Sequence, residues 1–252
     1  MLKIENLTKV YDNGFKALDR INLEIPDGQF VAIIGLSGSG KSTLLRCINR
    51  LIEPTEGRIL WNGIDVTAAN DEEMRLIRRQ IGMIFQQFNL VKRSKVITNV
   101  LSGRLGYINP LYSLFNYFPT KEREDALANL DRVGIRNQAY KRASELSGGQ
   151  QQRVGIARAL MQNPQLMLAD EPVASLDPAT SHSVMKYLEL LNKEDGIMVL
   201  CSLHFLSLAR AYADRVVALK DGVVQFDGLL KDIDDARFRE IYGEDAVEVS
   251  IS

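Results

Sequence analysis

The chain has 252 residues, 46% of them hydrophobic, which is long enough to bury one large core or a core with a subdomain. Its 31 basic and 32 acidic side chains nearly cancel, and a net charge of −1 gives no long-range attraction to nucleic acid or anionic lipid. The longest apolar stretch, Phe30–Leu36, is far shorter than the ~20 residues of a membrane span, so we do not expect the chain to cross a bilayer. Cys47 and Cys201 each stand in an apolar segment, which predicts two reduced core residues.

Alternating or continuous apolar runs predict short strands along the chain, and the alternation at residues 1–5 predicts a strand and not a signal peptide. In chain order the predicted strands are Leu2–Ile4, Ala17–Ile25, Phe30–Ile34, Arg58–Trp61, Ile81–Phe85, Leu166–Ala169, Val199–Ser202, Val216–Leu219 and Val223–Phe226. Asn62-Gly63, directly after the fourth of them, is typical of a hairpin turn.

Helical periodicity predicts helices between these strands. They are Ser42–Leu51, Glu72–Gln80, Lys121–Val133 and Gln151–Met161, and the charged tail carries a helical stripe of Phe238, Ile241 and Tyr242. Because strands alternate with helices, the pattern predicts an α/β domain with a mostly parallel sheet. The stretch from about residue 89 to 161 is predicted to be a helical insertion, since strands on both sides of it are needed to complete one sheet.

A glycine-rich turn follows the third predicted strand and opens the first predicted helix. Residues 35–42, Gly-Leu-Ser-Gly-Ser-Gly-Lys-Ser, fit the pattern G-x-x-x-x-G-K-[ST] fully. Glycines there let consecutive backbone N–H groups surround a phosphate, and the helix aims its positive end at the same anion. Lys41 supplies a charge to the β and γ phosphates, and the Ser42 hydroxyl is a candidate Mg²⁺ ligand.

Two carboxylates end the strand Leu166–Ala169. Asp170 is a candidate for holding Mg²⁺, and Glu171 is placed to orient and deprotonate a water molecule that attacks the γ-phosphate. Such a pair is weak evidence alone, because most pairs of this kind are solvated turn residues, but it gains weight from the phosphate loop upstream.

A second helix start, at residues 146–150 (Leu-Ser-Gly-Gly-Gln), carries two adjacent glycines. Ser147 is a good N-cap and Gln150 completes a capping box, so the segment is predicted to begin a helix. Gly148 and Gly149 in a first turn cost helix stability, and they are explained if another molecule approaches the backbone closely. A second anion at the helix N-terminus is the obvious candidate.

Together these motifs resemble the nucleotide-binding subunit of ABC transporters. The resemblance rests on residues 35–42, Gln86, residues 146–150, Asp170-Glu171, Ser175-Leu176-Asp177 and His204, in the order of that family and over nearly the whole chain. It implies a P-loop NTPase (RecA-like) core at about 1–88 and 162–252, an N-terminal antiparallel β subdomain, and a helical subdomain at about 89–161. It also implies a head-to-tail homodimer that sandwiches two ATP molecules and works with Mg²⁺.

The resemblance assigns roles to individual residues. In the implied nucleotide site are Tyr11 (stacked on adenine), Gly35, Ser37, Gly38, Ser39, Gly40, Lys41, Ser42, Thr43 and, from the partner chain, Ser147, Gly148, Gly149 and Gln150, with Asp177 linking the two sites. Glu171, His204 and Gln86 are implied in catalysis, and Ser42, Gln86 and Asp170 in metal binding. Gln87 is an alternative to Gln86, and His182 matches no motif and is expected at the surface. Leu36 stands where importers often have proline.

Other stretches resemble the ATPase subunit of bacterial phosphonate importers. They are residues 85–91, 99–101, 103–106, 113–115 with Phe118, 174–178, and the tail residues Phe238, Ile241 and Tyr242. The resemblance implies permease subunits as partners, a substrate-binding protein indirectly, no nucleic acid, and a peripheral location at the cytoplasmic face of the bacterial inner membrane. Five aromatic residues, Tyr107, Tyr112, Phe115, Tyr117 and Phe118, are predicted either to fill the helical subdomain's core or to dock a permease helix.

Three alternatives stay open at the level of sequence. The cargo could be phosphonate, phosphite or a phosphate ester, or the chain could serve an importer of another small solute, such as an amino acid. An ABC-type ATPase acting on nucleic acid or ribosomes would usually add coiled-coil arms or a second cassette, and it would favour a basic excess that this chain lacks. A P-loop kinase would explain Gly35–Ser42 and Asp170 but not residues 146–150.

Overall fold

Two sheets carry the strands of the chain, and the computed structural model describes residues 1–108 and 117–243. Strands β1 to β10 span Leu2–Val10, Lys16–Ile25, Phe30–Ile34, Glu56–Trp61, Ile64–Asp65, Ile81–Ile84, Leu166–Ala169, Met198–Leu203, Arg215–Lys220 and Val223–Gly228. Helices α1 to α8 span Lys41–Ile48, Asp71–Gln80, Val96–Leu101, Thr120–Arg132, Gly148–Leu160, Pro178–Asp195, Leu206–Tyr212 and Asp235–Tyr242. None of these helices is both long and apolar enough to span a bilayer.

The smaller sheet is antiparallel, in the order β2-β1-β4-β5. Its central strand β1 pairs Leu2 with Ile25 of β2 on one side and with Trp61 of β4 on the other. The turn between β4 and β5 is the predicted one, with positive φ at both Asn62 and Gly63. Alternate residues of β1 and β2 are buried, and this apolar face packs on α1 and on one face of the larger sheet.

The larger sheet has the order β10-β9-β3-β8-β7-β6, in which β10 is the antiparallel edge strand and the others are parallel. Every residue of β3, β6, β7 and β8 is buried, as expected for parallel strands covered on both faces. In β3, Val31 and Ile33 face the N-terminal sheet and α1, while Phe30, Ala32 and Ile34 face the cluster that includes residues of α3 to α6.

The topology brings four loops to one edge of the larger sheet. The carboxyl ends of the parallel strands β3, β6, β7 and β8 lie side by side, so the segments that follow them are neighbours. Open parallel sheets bind ligands at this edge. The sequence predictions for residues 35–42, 85–86, 170–171 and 204 therefore concern one place in the fold.

Most predicted elements are confirmed, and β3 and β7 have the predicted bounds. Strand β1 is longer than Leu2–Ile4, and α1 begins one residue earlier and ends three residues earlier than Ser42–Leu51. The prediction missed two helices, α6 and α7, although Asp177 and Pro178 are start signals for the first. Of the predicted aromatic segment, Tyr112 and Phe115 lie outside the described residues, as does the tail beyond residue 243.

Candidate functional site

The loop between β3 and α1 needs glycine at two positions for reasons of space. Gly35 has a φ of +143°, and a Cβ there would lie 2.2 Å from the carbonyl oxygen of Leu219. Gly40 has a φ of +105°, and its Cβ would lie 2.6 Å from the carbonyl oxygen of Ala17. The loop is therefore packed between β9 and β2, which fixes the direction in which its backbone N–H groups point.

Lys41 folds back into this loop. Its Nζ donates hydrogen bonds to the carbonyl oxygens of Gly35, at 2.8 Å, and of Leu36, at 2.9 Å, and the residue is only 3% exposed. Burial lowers the pKa of Lys41 from its ordinary value, while the charges of Glu171 and Asp170 oppose that shift. A phosphate entering the loop would offer this ammonium group a charged acceptor, which is a stronger partner than a carbonyl.

Asp170 is fully buried at the end of β7 and accepts two side-chain hydrogen bonds from α1. The Ser42 hydroxyl donates to Oδ1 at 2.6 Å, and the Arg46 guanidinium donates to Oδ2 at 2.9 Å. A hydroxyl and a carboxylate oxygen side by side are hard donors that fit Mg²⁺. The part of the chain that the structure describes contains no group of three or more His, Cys, Asp or Glu side chains able to hold a metal. A magnesium ion here would take its remaining ligands from phosphate, from water or from a side-chain amide such as that of Gln86.

The side chains of Glu171 and His204 are in direct contact next to Asp170. His204 Nε2 lies 2.7 Å from Glu171 Oε1, with the Glu171 side chain 12% exposed. Glu171 has a φ of +48°, a left-handed conformation that is strained for a residue with a side chain. A partly buried carboxylate held by an imidazole can act as a general base toward water, and backbone strain of this kind clusters at functional sites.

Tyr11 lies beside the start of α1. Its hydroxyl is 3.3 Å from Thr43 Oγ1, and its ring is nearly parallel to that of Phe15, with centroids 6.5 Å apart. Phe15 is 54% exposed and was not foreseen as a site residue, although an exposed aromatic side chain four residues after Tyr11 was visible in the sequence. The two rings offer an aromatic surface on which a base can stack.

The predicted capping box at α5 is confirmed. Ser147 Oγ accepts from Gln150 N, and Gln150 Oε1 accepts from Ser147 N at 3.0 Å. The structure gives a second reason for one of the paired glycines, while the approach of another molecule stays a prediction. A Cβ on Gly149 would lie 2.3 Å from Thr180 Cγ2, so the close packing of α5 on α6 also favours glycine there. At Gly148 a Cβ would make only ordinary contacts, of 3.6 Å or more.

Three further residues named in the sequence analysis, Asp177, Gln86 and His182, differ in their burial and hydrogen bonding. Asp177 is the exposed N-cap of α6 and accepts a hydrogen bond from Thr180 N at 3.0 Å. Hydrogen bonds from the Thr180 side chain first, and from its backbone second, lower the pKa of Asp177. Gln86 is exposed two residues beyond β6. His182, expected at the surface, is half-buried, with Nδ1 2.8 Å from the Tyr212 hydroxyl.

Arg158 connects α5 to the segment that follows Gln86, a link that the sequence analysis missed. Its guanidinium donates to the carbonyl oxygens of Phe88, at 3.0 Å, and Asn89, at 2.6 Å. Burial lowers the pKa of Arg158 from its ordinary value. The segment after Gln86 and the helix that starts at Ser147 are therefore mechanically joined.

The aromatic residues of the described part of the helical region differ in burial, and the docking role stays a prediction. Phe118 is buried in the core, Tyr117 is exposed, and Tyr107 is partly exposed. The Tyr107 ring packs against the guanidinium groups of Arg79 and Arg104, at 4.7 and 4.2 Å from its centroid. A cavity of about 380 Å³ adjoins this ring, lined also by arginines of α2.

Comparison with known proteins extends the likeness over the whole chain. Residues 18–174 match the family model described as ABC transporter. The phosphonates import ATP-binding protein PhnC of Bdellovibrio bacteriovorus is 55% identical over 251 residues, which cover 99% of this chain and 96% of that protein. PhnC 1 of Halalkalibacterium halodurans, with the same description, is 54% identical over 243 residues, 96% of this chain and 95% of that protein. The solved dimer of the ATP-binding cassette MJ0796, in a post-hydrolysis state with ADP and Pi, has a TM-score of 0.80 at 40% identity, covering 92% of this chain and 100% of that one.

Proposed function

This chain belongs to the ABC transporter family, and we propose on that premise that it is the ATP-hydrolysing motor subunit of a bacterial phosphonate importer. The observation that carries the proposal is the convergence of three features at one edge of the larger sheet. They are the glycine loop with Lys41, the Ser42–Asp170 pair at 2.6 Å and the Glu171–His204 pair at 2.7 Å. Phosphate binding, metal binding and activation of water each require one of these features.

In this proposal the residues divide the work of hydrolysis. The loop N–H groups and Lys41 hold the β and γ phosphates, and Tyr11 stacks on the adenine. Glu171 accepts a proton from the attacking water, while His204 holds the carboxylate in place and contacts the γ-phosphate. Gln86, two residues beyond β6, contacts the γ-phosphate. Its movement is transmitted to the helical region through Arg158, which donates hydrogen bonds to the carbonyl oxygens of Phe88 and Asn89.

Ser42 and Asp170 are the residues that would hold Mg²⁺, with Gln86 as a third candidate. The metal, when bound, neutralises charge on the phosphate oxygens. Arg46 donates to the second carboxylate oxygen of Asp170 at 2.9 Å, which orients this buried side chain toward α1.

We further propose that two chains form the complete site. Ser147 and Gly148 lie at the exposed start of α5, where helix N–H groups and room beside Gly148 suit a phosphate from the partner chain. The MJ0796 structure, described as dimeric with ADP and Pi, supports this arrangement. Each ATP would then lie between Lys41 of one chain and Ser147 of the other, with Asp177 at the junction.

The cargo and the membrane partner are proposed from the relatives. Both PhnC proteins are described as phosphonates import ATP-binding proteins, and we extend that substrate to this chain. In this proposal the permease docks at the surface around Tyr107 and the cavity lined by Arg75, Arg78 and Arg79, and the chain works at the cytoplasmic face of the inner membrane. The same descriptions favour import over action on nucleic acid, and over import of other solutes.

The catalytic proposal is tested by Glu171→Gln, which keeps the size of the side chain and removes its basicity. We expect unchanged ATP binding, a loss of turnover of at least ~100-fold, and an ATP-bound dimer that accumulates on size-exclusion chromatography. Glu124→Gln, at an exposed position of α4, is the matched control and should behave as the wild type. Normal turnover of Glu171→Gln would overturn the assignment.

The substrate proposal is tested by growth. A strain that lacks this chain should fail to grow with a phosphonate as sole phosphorus source and should grow normally on inorganic phosphate. The wild-type chain should restore growth and Glu171→Gln should not. Unimpaired growth of the deletion strain on phosphonate would refute the assigned cargo while leaving the ATPase assignment in place.

A further inference from the structure

A buried serine of β8, Ser202, contacts both residues of the Asp170-Glu171 pair. Its hydroxyl accepts a hydrogen bond from the backbone N–H of Glu171 at 2.8 Å. The same hydroxyl lies 3.4 Å from Asp170 Oδ1 and 3.4 Å from the carbonyl oxygen of Ala169, so it can donate to either. Ser202 is fully buried, and no water is needed to explain its hydrogen bonds.

The sheet itself cannot hold Glu171. The pairing of β7 with β8 ends at Ala169 and Cys201, so the next N–H groups of the chain leave the ladder. The Asp170 N–H still bonds to the carbonyl oxygen of Ile84 in β6, whereas the Glu171 N–H bonds to the Ser202 side chain. The Ser202 hydroxyl thus accepts the hydrogen bond of an N–H group that has no partner in the β7–β8 ladder.

This hydrogen bond coincides with backbone strain. Glu171 adopts a φ of +48°, which a residue with a side chain keeps only when its surroundings impose it. Two groups from the end of β8 impose it here, because Ser202 holds the main chain and His204 holds the carboxylate at 2.7 Å. Ser202 is the last residue but one of β8 and His204 is the first residue after it, so the end of this strand supplies both contacts.

We propose that Ser202 is a positioning residue for hydrolysis, which fixes the strained backbone of Glu171 and thereby aims its carboxylate at the attacking water. This inference rests on the proposed role of Glu171 as the base. Ser202 does not touch the reacting atoms. It acts through Glu171, and through the orientation of Asp170.

The test compares Ser202→Ala with Ser202→Thr, which keeps the hydroxyl, and with Ser181→Ala, which removes a buried hydroxyl from α6. A displaced catalytic group costs up to ~100-fold in rate, so we expect kcat of Ser202→Ala to fall ~10- to 100-fold. The KM for ATP should stay within about twofold, because the phosphate loop is untouched. Ser202→Ala should also retain ATP in a dimer, as Glu171→Gln does, while Ser202→Thr and Ser181→Ala should turn over normally.

A purely structural role would give a different pattern, with lower thermal stability of Ser202→Ala and unchanged kcat, and that result would overturn the proposal. A loss of kcat that persists undiminished when Ser202→Ala is combined with Glu171→Gln would also overturn it, because Ser202 would then act independently of Glu171. Should Ser202→Ala not fold, Ser202→Cys, whose sulfur is a weak acceptor, carries the same expectation. Full activity of Glu171→Gln alone would instead refute the proposed function.

Discussion

Replacing Gly149 with alanine tests whether this glycine serves the packing of α5 on α6. The new Cβ would lie 2.3 Å from Thr180 Cγ2, over 1 Å inside the ~3.5 Å of an ordinary carbon–carbon contact. Overpacking of this size costs about 1–3 kcal/mol, and the gain in helix propensity from glycine to alanine offsets at most ~1 kcal/mol of it. The central values leave a net loss of ~1 kcal/mol, so we expect Gly149→Ala to lower Tm by roughly 2–4 °C for a chain of this length.

Gly148→Ala is the matched control, because a Cβ there meets nothing closer than 3.6 Å. Its Tm should be unchanged or up to ~3 °C higher, since alanine favours the helix. Thr180→Ser removes the methyl group that Gly149→Ala would strike, so the double variant should recover most of the lost stability. Thermal unfolding followed by circular dichroism measures all four proteins. Wild-type stability of Gly149→Ala, or no recovery with Thr180→Ser, would refute the packing explanation.

Two further predictions follow from pKa shifts. The hydrogen bond from Thr180 lowers the pKa of Asp177, so this cap stabilises the fold above the ordinary carboxyl pKa and loses its effect as the pH falls through the lowered value. Asp177→Asn keeps an N-cap oxygen without a titrating group, and its urea midpoint should fall less than that of the wild type between pH 7 and pH 3; equal losses would contradict the role of the cap. Burial raises the pKa of Cys47 to about 12 and also raises the pKa of Cys201. Neither thiol should therefore react with a disulfide reagent at pH 8 until the chain is unfolded in urea. Rapid labelling of the native protein would contradict this.

The sequence predicted best those features whose signals are local. Strands β3 and β7 are continuous apolar runs with polar or glycine boundaries, so their bounds followed directly from the pattern. The capping box of Ser147 and Gln150 is likewise a contact between neighbours in the chain. Helix α6 was missed although its start signals are local, because its apolar positions alternate with many polar ones over 18 residues.

Contacts between distant residues could be predicted only as expectations from the family resemblance. Ser42 and Asp170 are 128 residues apart, and only the order of the parallel strands brings them within 2.6 Å. The role of Arg46 could have been predicted from the sequence, since Arg46 lies four residues after Ser42 on the same face of α1 and reaches the same carboxylate. The packing of Gly149 on Thr180 could not have been predicted from the sequence, because no local pattern shows which helix will cross α5.

The central claim, a site shared by two chains, is tested most directly by mixing two inactive variants. Lys41→Ala disables the phosphate loop, and Gly148→Asp puts a negative charge where the partner's phosphate would lie, at a position where a Cβ would make only ordinary contacts. Each variant alone should lack ATPase activity, because both sites of its dimer are damaged. In an equal mixture half of the dimers are mixed and carry one intact site, so we predict about a quarter of the wild-type rate per chain. A mixture as inactive as its two components would contradict the shared site.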